Sequence, residues 1–485
     1  MASPLYFYLS KPMNKTLASL ALLSLCAVSF VACQSNSSAT TQSLFNGHDL
    51  TGFSIKGGKA QYAYDNGTLV GTAVLDTPNS FLATDKEYGN FVLEYDFLDD
   101  ERLNSGVQIR SHAYDKDVTF VDERGKSIKI PAGRVHGYQA EIDTNTHNMN
   151  SIDKKPRQWT AGLYEEGRRG WIVPGFGGGN SVAFSEQGRR ITKVGEWNHV
   201  KVEANGNRIR TWLNGEQRVD ARDDGYMTGF IAFQVHGIGK SKEVAGATVK
   251  FRNVNLTPIA DNTLTDSEKA DGWVLLFDGK THEGWRSAKG PEFPQSGWSV
   301  VDGTLRTASS GGKESAAAGD IITLKQYKKF EVSVDFKLTT GANSGLKYYV
   351  QPDLNKGAGS AFGPEFQMLD DAVHPDAKLG RNGNRTCGSL YDLITAQNKR
   401  ANAIGEWNNA YVISDGNHVE HWLNGRMVVS YTRHTDEFRA LVKLSKYSDP
   451  KYGQGFGEWE AGHILLQEHG DEVWFKNVKL RDLSK

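Results

Sequence analysis

The sequence predicts an all-β protein of two sandwiches in tandem, because it repeats itself in order, alternates apolar with polar residues, and is rich in glycine turns. The repeat opens with Leu44, Phe45, Asn46 and Gly47, answered by Leu276, Phe277, Asp278 and Gly279. Asn66, Gly67, Thr68 and Leu69 are answered by Asp302, Gly303, Thr304 and Leu305, and Asn104, Ser105 and Gly106 by Asn343, Ser344 and Gly345. Gly195 to Asn198 then matches Gly405 to Asn408, and Trp212 to Gly215 matches Trp422 to Gly425. Gln234, His236 and Gly237 pair with Gln467, His469 and Gly470, and Phe251 to Val254 pair with Phe475 to Val478. Each copy has the length of one sandwich, so 43–258 is read as the first domain, 272–485 as the second, and the polar stretch 259–271 as a linker.

Inside each copy the apolar period is two. From Phe330 to Phe336 apolar residues alternate with Glu331, Ser333 and Asp335, and Leu93 to Phe97 does the same, as strands with one buried face require. Val200 to Glu203 and Ile209 to Trp212 flank Asn205 and Gly206, which reads as a hairpin whose turn needs positive φ. No stretch reads as a capped amphipathic helix, and Trp197, Trp212, Trp407 and Trp422 sit in apolar strand settings that suggest core. The architecture expected is a pair of jelly-roll sandwiches, which carry function on a sheet face and its rim loops.

The N-terminus is processing sequence. Lys15 precedes an apolar run from Leu17 to Leu25 that ends at Val31, Ala32 and Cys33, so residues 1–33 read as a secretory signal too short for a stable span, and Met13 would serve as its start. Val31 to Cys33 resembles a bacterial lipobox, which implies diacylglycerol on Cys33. Residues 34–42 are small and polar, a flexible tether. Gln34 after the lipidated cysteine resembles lipoproteins of the outer membrane, so the expected location is the bacterial cell envelope, anchored and facing the periplasm. A formal net charge of -1 argues against a nucleic-acid partner. Past Cys33 the one cysteine is Cys387, which precludes an intramolecular disulfide and suits a buried thiol better than a nucleophile.

The ordered blocks, together with Glu365, Phe366 and Gln367, resemble the 3-keto-disaccharide hydrolases, a family formerly known as a domain of unknown function, over nearly the whole chain past Cys33 and in both copies. The resemblance implies two tandem concanavalin A-like jelly-roll β-sandwiches, and cleavage of glycosides oxidised to a ketone at sugar C3. Such chemistry needs a base for the C2 proton, a donor or cation near the carbonyl oxygen and an acid for the leaving oxygen. No cofactor is required, although Asp and Glu oxygens are compatible with a divalent cation. A glycoside 3-dehydrogenase would have to act upstream. The competing reading is a lectin-like module that only binds glycans.

Candidate residues follow from strand alternation. Glu365 and Gln367 share one face, with Asp370 and His374 in the loop beyond, and Arg385 and Tyr391 close by in sequence. In the first copy Gln139, Glu141 and Asp143 share a face, so glutamate and glutamine have exchanged places, which puts in question whether both copies run the same reaction. Tyr164 and Arg168 lie in a segment dense in charge and aromatics that suits either a sugar site or a solvated loop. Arg110, Lys347 and Tyr349 follow the Asn-Ser-Gly blocks, where a cation could hold an enolate oxygen or simply form surface ion pairs. Gln234 with His236 and Gln467 with His469 share faces, each His being a base, a metal ligand or a structural group. Catalytic candidates are thus Glu365, Asp370 and His469, with Glu141, Asp143 and His236, and the second copy is favoured. No nucleotide-binding fingerprint or zinc-protease motif occurs.

Overall fold

The computed structural model describes residues 40–121, 125–311, 313, 318–355, 357 and 359–484. The signal, Cys33 and most of the tether lie outside the described residues. Each copy is an antiparallel sandwich of two sheets. One sheet has eight strands in both copies and the same strand order, centred on Phe91–Asp99 or Phe330–Leu338 between the long last strand and the hairpin strands. The facing sheet has seven strands in the first copy and five in the second. Those two extra strands, Leu163–Glu166 and Gly170–Val173, lie beside His136–Ile142.

The alternation read from sequence is the packing observed. Phe91, Leu93, Tyr95 and Phe97 are fully buried, as are Phe330, Val332, Val334 and Phe336, and each set fills the core of its own sandwich. The repeated turns carry consecutive positive φ values, 50° and 88° at Asn214 and Gly215 and 51° and 82° at Asn424 and Gly425, which only these residue types adopt cheaply.

Three expectations are corrected. Helices do occur: Ser181–Ile191, capped by Asn180, and Asp436–Lys443, capped by Thr435. They are short, the second packing Phe438, Leu441 and Val442 on the core within eight residues, too short a run for the period to stand out. The four tryptophans are half-buried rather than core, because alternation sends Ile209 and Leu213 inward and Trp212 outward. Out there they meet cations, Arg252 over Trp197 at 4.0 Å and Lys201 over Trp212 at 4.8 Å. The linker is docked: its helix Asp266–Ala270 has a capping box, Arg210 reaches Asp271 at 2.6 Å, and Asn262 exchanges hydrogen bonds with Asn477 of the second sandwich. Arg426 and Asp224 also pair across the two sandwiches at 2.9 Å.

The third correction concerns Arg110 and Tyr349, expected on the functional face. Both occupy equivalent positions with positive φ, 46° and 53°, where the strand register slips. That bulge reverses the alternation and turns both side chains into the core. Arg110 is fully buried and donates to the carbonyls of Gly89 and Gly206 and to Asn90 Oδ1. In the second copy Tyr349 donates to the Lys328 carbonyl, and Arg433, stacked 3.7 Å from its ring, donates to the carbonyls of Gly457 and Gly416. Gly206 and Gly416 are the equivalent hairpin turns, so the same carbonyl is satisfied by an arginine from a strand in one copy and from a turn in the other.

Replacing Arg110 with leucine removes the donor from the half-buried carbonyls of Gly89 and Gly206, at roughly 1–3 kcal/mol each. The variant should lose about 3 kcal/mol or more in urea denaturation; an unchanged midpoint would contradict this role.

Candidate active site

The five-stranded sheet of the second sandwich forms the floor of a cavity of about 640 Å³, a size suited to a small glycoside. Lys347 and Glu365 are direct cross-strand partners there, with Gly345 opposite Gln367 two pairs along on the same face. The Glu365 side chain lies across Gly345, where an added Cβ would stand 2.2 Å from Glu365 Oε1, so glycine is required beneath it. Lys347 Nζ is 3.6 Å from Glu365 Oε2, and both side chains are almost buried. On its other side Lys347 donates to Ser360, which in turn donates to the buried carboxylate of Asp320.

Gln467 and His469 lie just past the end of the neighbouring central strand, His463–Leu466, and also line the cavity. The beyond-strand loop adds His374 and Asp376, and Tyr391 completes that wall by donating to Asp376 at 2.7 Å. Gln367 Oε1 and His469 Nδ1 are buried with no hydrogen-bond partner among the described residues. Such groups are expected where a polar ligand belongs.

Of the residues predicted for the second copy, the cavity gathers Glu365, Gln367, Lys347, His374, Tyr391, Gln467 and His469. Asp370 is a correction. It is 3 % exposed and accepts the backbone N–H groups of Gly341 and Ala372, which makes it a tie between strand end and turn rather than an acid. Arg385 stands behind the wall and holds Asp376 and Asp392 at 2.9 and 2.7 Å. The sequence reading missed Asp376, Asn343, Ser360 and the wall of Lys446, Tyr447, Lys451 and Tyr452. That wall belongs to an insertion between Thr432 and His463 that carries the helix Asp436–Lys443; the first copy passes from Arg222 to Phe230 directly. The longer spacing from Gly425 to Gln467 than from Gly215 to Gln234 was the available signal.

The first sandwich offers different chemistry at the same positions. Gln108 and Gln139 occupy the places of Lys347 and Glu365, and Glu141 that of Gln367. Gln108 donates to Gln139, and Gln139 and Asn104 donate to Glu141 at 2.7 Å each. Burial nevertheless raises the Glu141 pKa to about 8, against the two donors, so it is largely protonated at neutral pH. Tyr164 stays on this face, opposite Gln139, and Gln234 is within 3.5 Å of Gln139. Three predictions are corrected. Asp143 is 1 % exposed and is consumed by Arg157, Asn148 and the Trp159 amide. His236 is exposed and bonded to its own neighbour's carbonyl at Gly237. Arg168 is clamped by Glu165 between the rings of Phe120 and Tyr226. Cys387 is buried with its thiol pushed up to about 12, which leaves it inert.

One set of side chains could be taken for a metal centre. His374, His469 and Asp471 each place a ligand atom within 4.8 Å of the others. His374 does not fit that role: its Nδ1 accepts the Asp376 amide at 3.1 Å, which puts the proton of the neutral ring on Nε2 and leaves no free lone pair.

The Glu141 shift has a testable sign. A carboxyl with a folded-state pKa raised from 4.5 to about 8 binds more protons folded than unfolded, so it disfavours folding increasingly as pH rises through that interval. Glu141→Gln should therefore melt higher than the wild type at pH 9, with the gap closing by pH 5. An equal gap at both pH values would refute the buried neutral acid.

The chain is similar to proteins already known. Residues 40–257 and 272–481 both match the 3-keto-alpha-glucoside-1,2-lyase-like domain family. A 3-keto-disaccharide hydrolase of Bacteroides thetaiotaomicron is 37% identical over 232 residues, which are 44% of this chain and 80% of that protein. A crystal structure from Parabacteroides distasonis, assigned by its name to the glycosyl hydrolases, is 32% identical with a TM-score of 0.39, covering 46% of this chain and 100% of that one. The carbohydrate-binding module CBM66 of Bacillus subtilis is 17% identical with a TM-score of 0.24, covering 43% and 96%. The chain therefore belongs to the 3-keto-alpha-glucoside-1,2-lyase-like domain family, with two copies of the domain.

Proposed function

We propose that the second sandwich hydrolyses glycosides carrying a ketone at sugar C3. The observation that carries the reading is the Lys347 and Glu365 pair on the cavity floor, a carboxylate kept beside a fixed cation within a site of substrate size. A C3 ketone acidifies the C2 proton, so a single positioned carboxylate suffices as base, and the paired acids of an ordinary glycosidase are unnecessary. Glu365 takes the C2 proton and the electron pair passes toward the C3 oxygen. The C1–O bond then breaks as the C3 carbonyl re-forms, with His469 giving its proton to the departing oxygen. Water adds to C1 and a proton returns to C2, so the sum is hydrolysis to a free 3-keto sugar and an alcohol.

The first sandwich lacks the ionised pair, and Glu141, the carboxyl in the place of Gln367, is neutral. Its face of amides with Tyr164 suits holding a sugar rather than deprotonating one. We place the protein in the bacterial envelope, on a lipid at Cys33, where the signal and lipobox pattern of residues 1–33 would put it. The substrate's ketone has to come from an oxidation at C3 by an upstream dehydrogenase.

With a chromogenic 3-keto-glucoside, Glu365→Gln and Lys347→Met should each slow release by about 10²–10⁴-fold. Glu141→Gln in the first sandwich should leave release unchanged. Wild-type-like release from the Glu365 variant would end this reading, and loss from the Glu141 variant would move the chemistry to the other sandwich. Cys33→Ala should abolish labelling by radioactive palmitate; persistent labelling would place the lipid elsewhere.

A further inference from the structure

We propose that His374 is the group that holds the C3 oxygen of the keto sugar as it becomes an enolate, acting as a neutral donor through Nε2–H. The inference rests on the function proposed above, and it names a residue for the step that reaction most depends on, stabilisation of charge on the ketone oxygen.

Three observations support it. First, the Asp376 backbone N–H is donated to His374 Nδ1 at 3.1 Å. A main-chain amide can only donate, so the neutral ring must carry its proton on Nε2. Second, His374 lines the cavity that Glu365 floors, so the one donor this ring has is available to a bound sugar. Third, the ring is kept from charging: burial and the neighbouring His469, 6.1 Å away between ring centroids, hold its pKa below the ordinary imidazole value, although Asp376, Asp471 and Asp370 oppose the shift. A neutral imidazole is well suited to this task, since a donor of pKa closer to that of the enol holds the developing oxyanion without surrendering its proton. Lys347 is tied to Glu365 and Ser360 and so serves the base; His374 approaches from the loop wall instead. The step balances without proton transfer from His374. The C2–H bond breaks, its proton goes to Glu365, its electron pair settles on the C3 oxygen, and His374 lends only a hydrogen bond.

Enolisation can be read apart from cleavage with 1,5-anhydro-3-ketoglucitol, which has no C1 leaving group, by following exchange of the C2 proton in D₂O by NMR. Wild type should exchange, His374→Phe should exchange about 10²–10³-fold more slowly, and His374→Gln, which keeps an N–H donor, should recover part of that loss. The ¹⁵N shifts of His374 in the unmutated chain should report a neutral Nε2–H ring at pH 7; an Nδ1–H ring or an imidazolium would overturn the proposal whatever the variants do. Wild-type exchange with an unaffected His374→Phe would overturn it while leaving the hydrolase reading intact. A wild type that neither exchanges nor cleaves would fell both. Loss of exchange on dialysis against EDTA, restored by Mn²⁺, would also overturn it, in favour of a cation at His374, His469 and Asp471.

Discussion

The cavity depends on one cross-strand contact, Lys347 against Glu365. Two nearly buried charges on adjacent strands are tolerable only if each neutralises the other and their remaining polar atoms are met. Gly345 lets the carboxylate lie flat across the neighbouring strand, and Ser360 with Asp320 receives the ammonium from behind. Because the pair is fixed by backbone register, a slip of one residue in Glu365–Leu369 would turn the carboxylate into the apolar core and take it from Lys347. The bulge at Tyr349 comes just after Lys347, so the strand keeps the polar row on one side and then returns to packing.

The two sandwiches show what happens when that contact is replaced. Exchange of Lys347 and Glu365 for Gln108 and Gln139 keeps the register, the glycine beneath and even a side-chain hydrogen bond across the strands. What is lost is charge. With no lysine in the place of Lys347, burial leaves Glu141 more stable protonated, and the face carries amides and a neutral acid. The surroundings diverged as well: the first copy widens its sheet with Leu163–Glu166 and Gly170–Val173, whereas the second builds a helical insertion that walls a cavity.

Much of this was legible in the sequence because strands obey local rules. Alternation at Phe330 to Phe336, the Asn-Gly turns and the placement of Glu365 with Gln367 all follow from a period of two and from turn chemistry. Failures came where a local rule met a tertiary one. Arg110 and Tyr349 were misassigned because a bulge reverses alternation and leaves no mark in composition. Asp143 and Asp370 have the chemistry of catalytic acids and are used to close loops, which only their hydrogen-bond partners reveal. Tyr447 and Tyr452 reach the cavity from a segment with no counterpart in the first copy, so the repeat that exposed the fold could not point to them.

The most direct test of the central claim is a crystal structure of the chain with a bound 3-keto sugar that cannot be cleaved. The account predicts the ring in the second sandwich, with C2 facing the Glu365 carboxylate and the C3 oxygen on the His374 side of the cavity. A ring bound over Gln139 and Glu141 instead, or on the outer face of either sandwich, would contradict it.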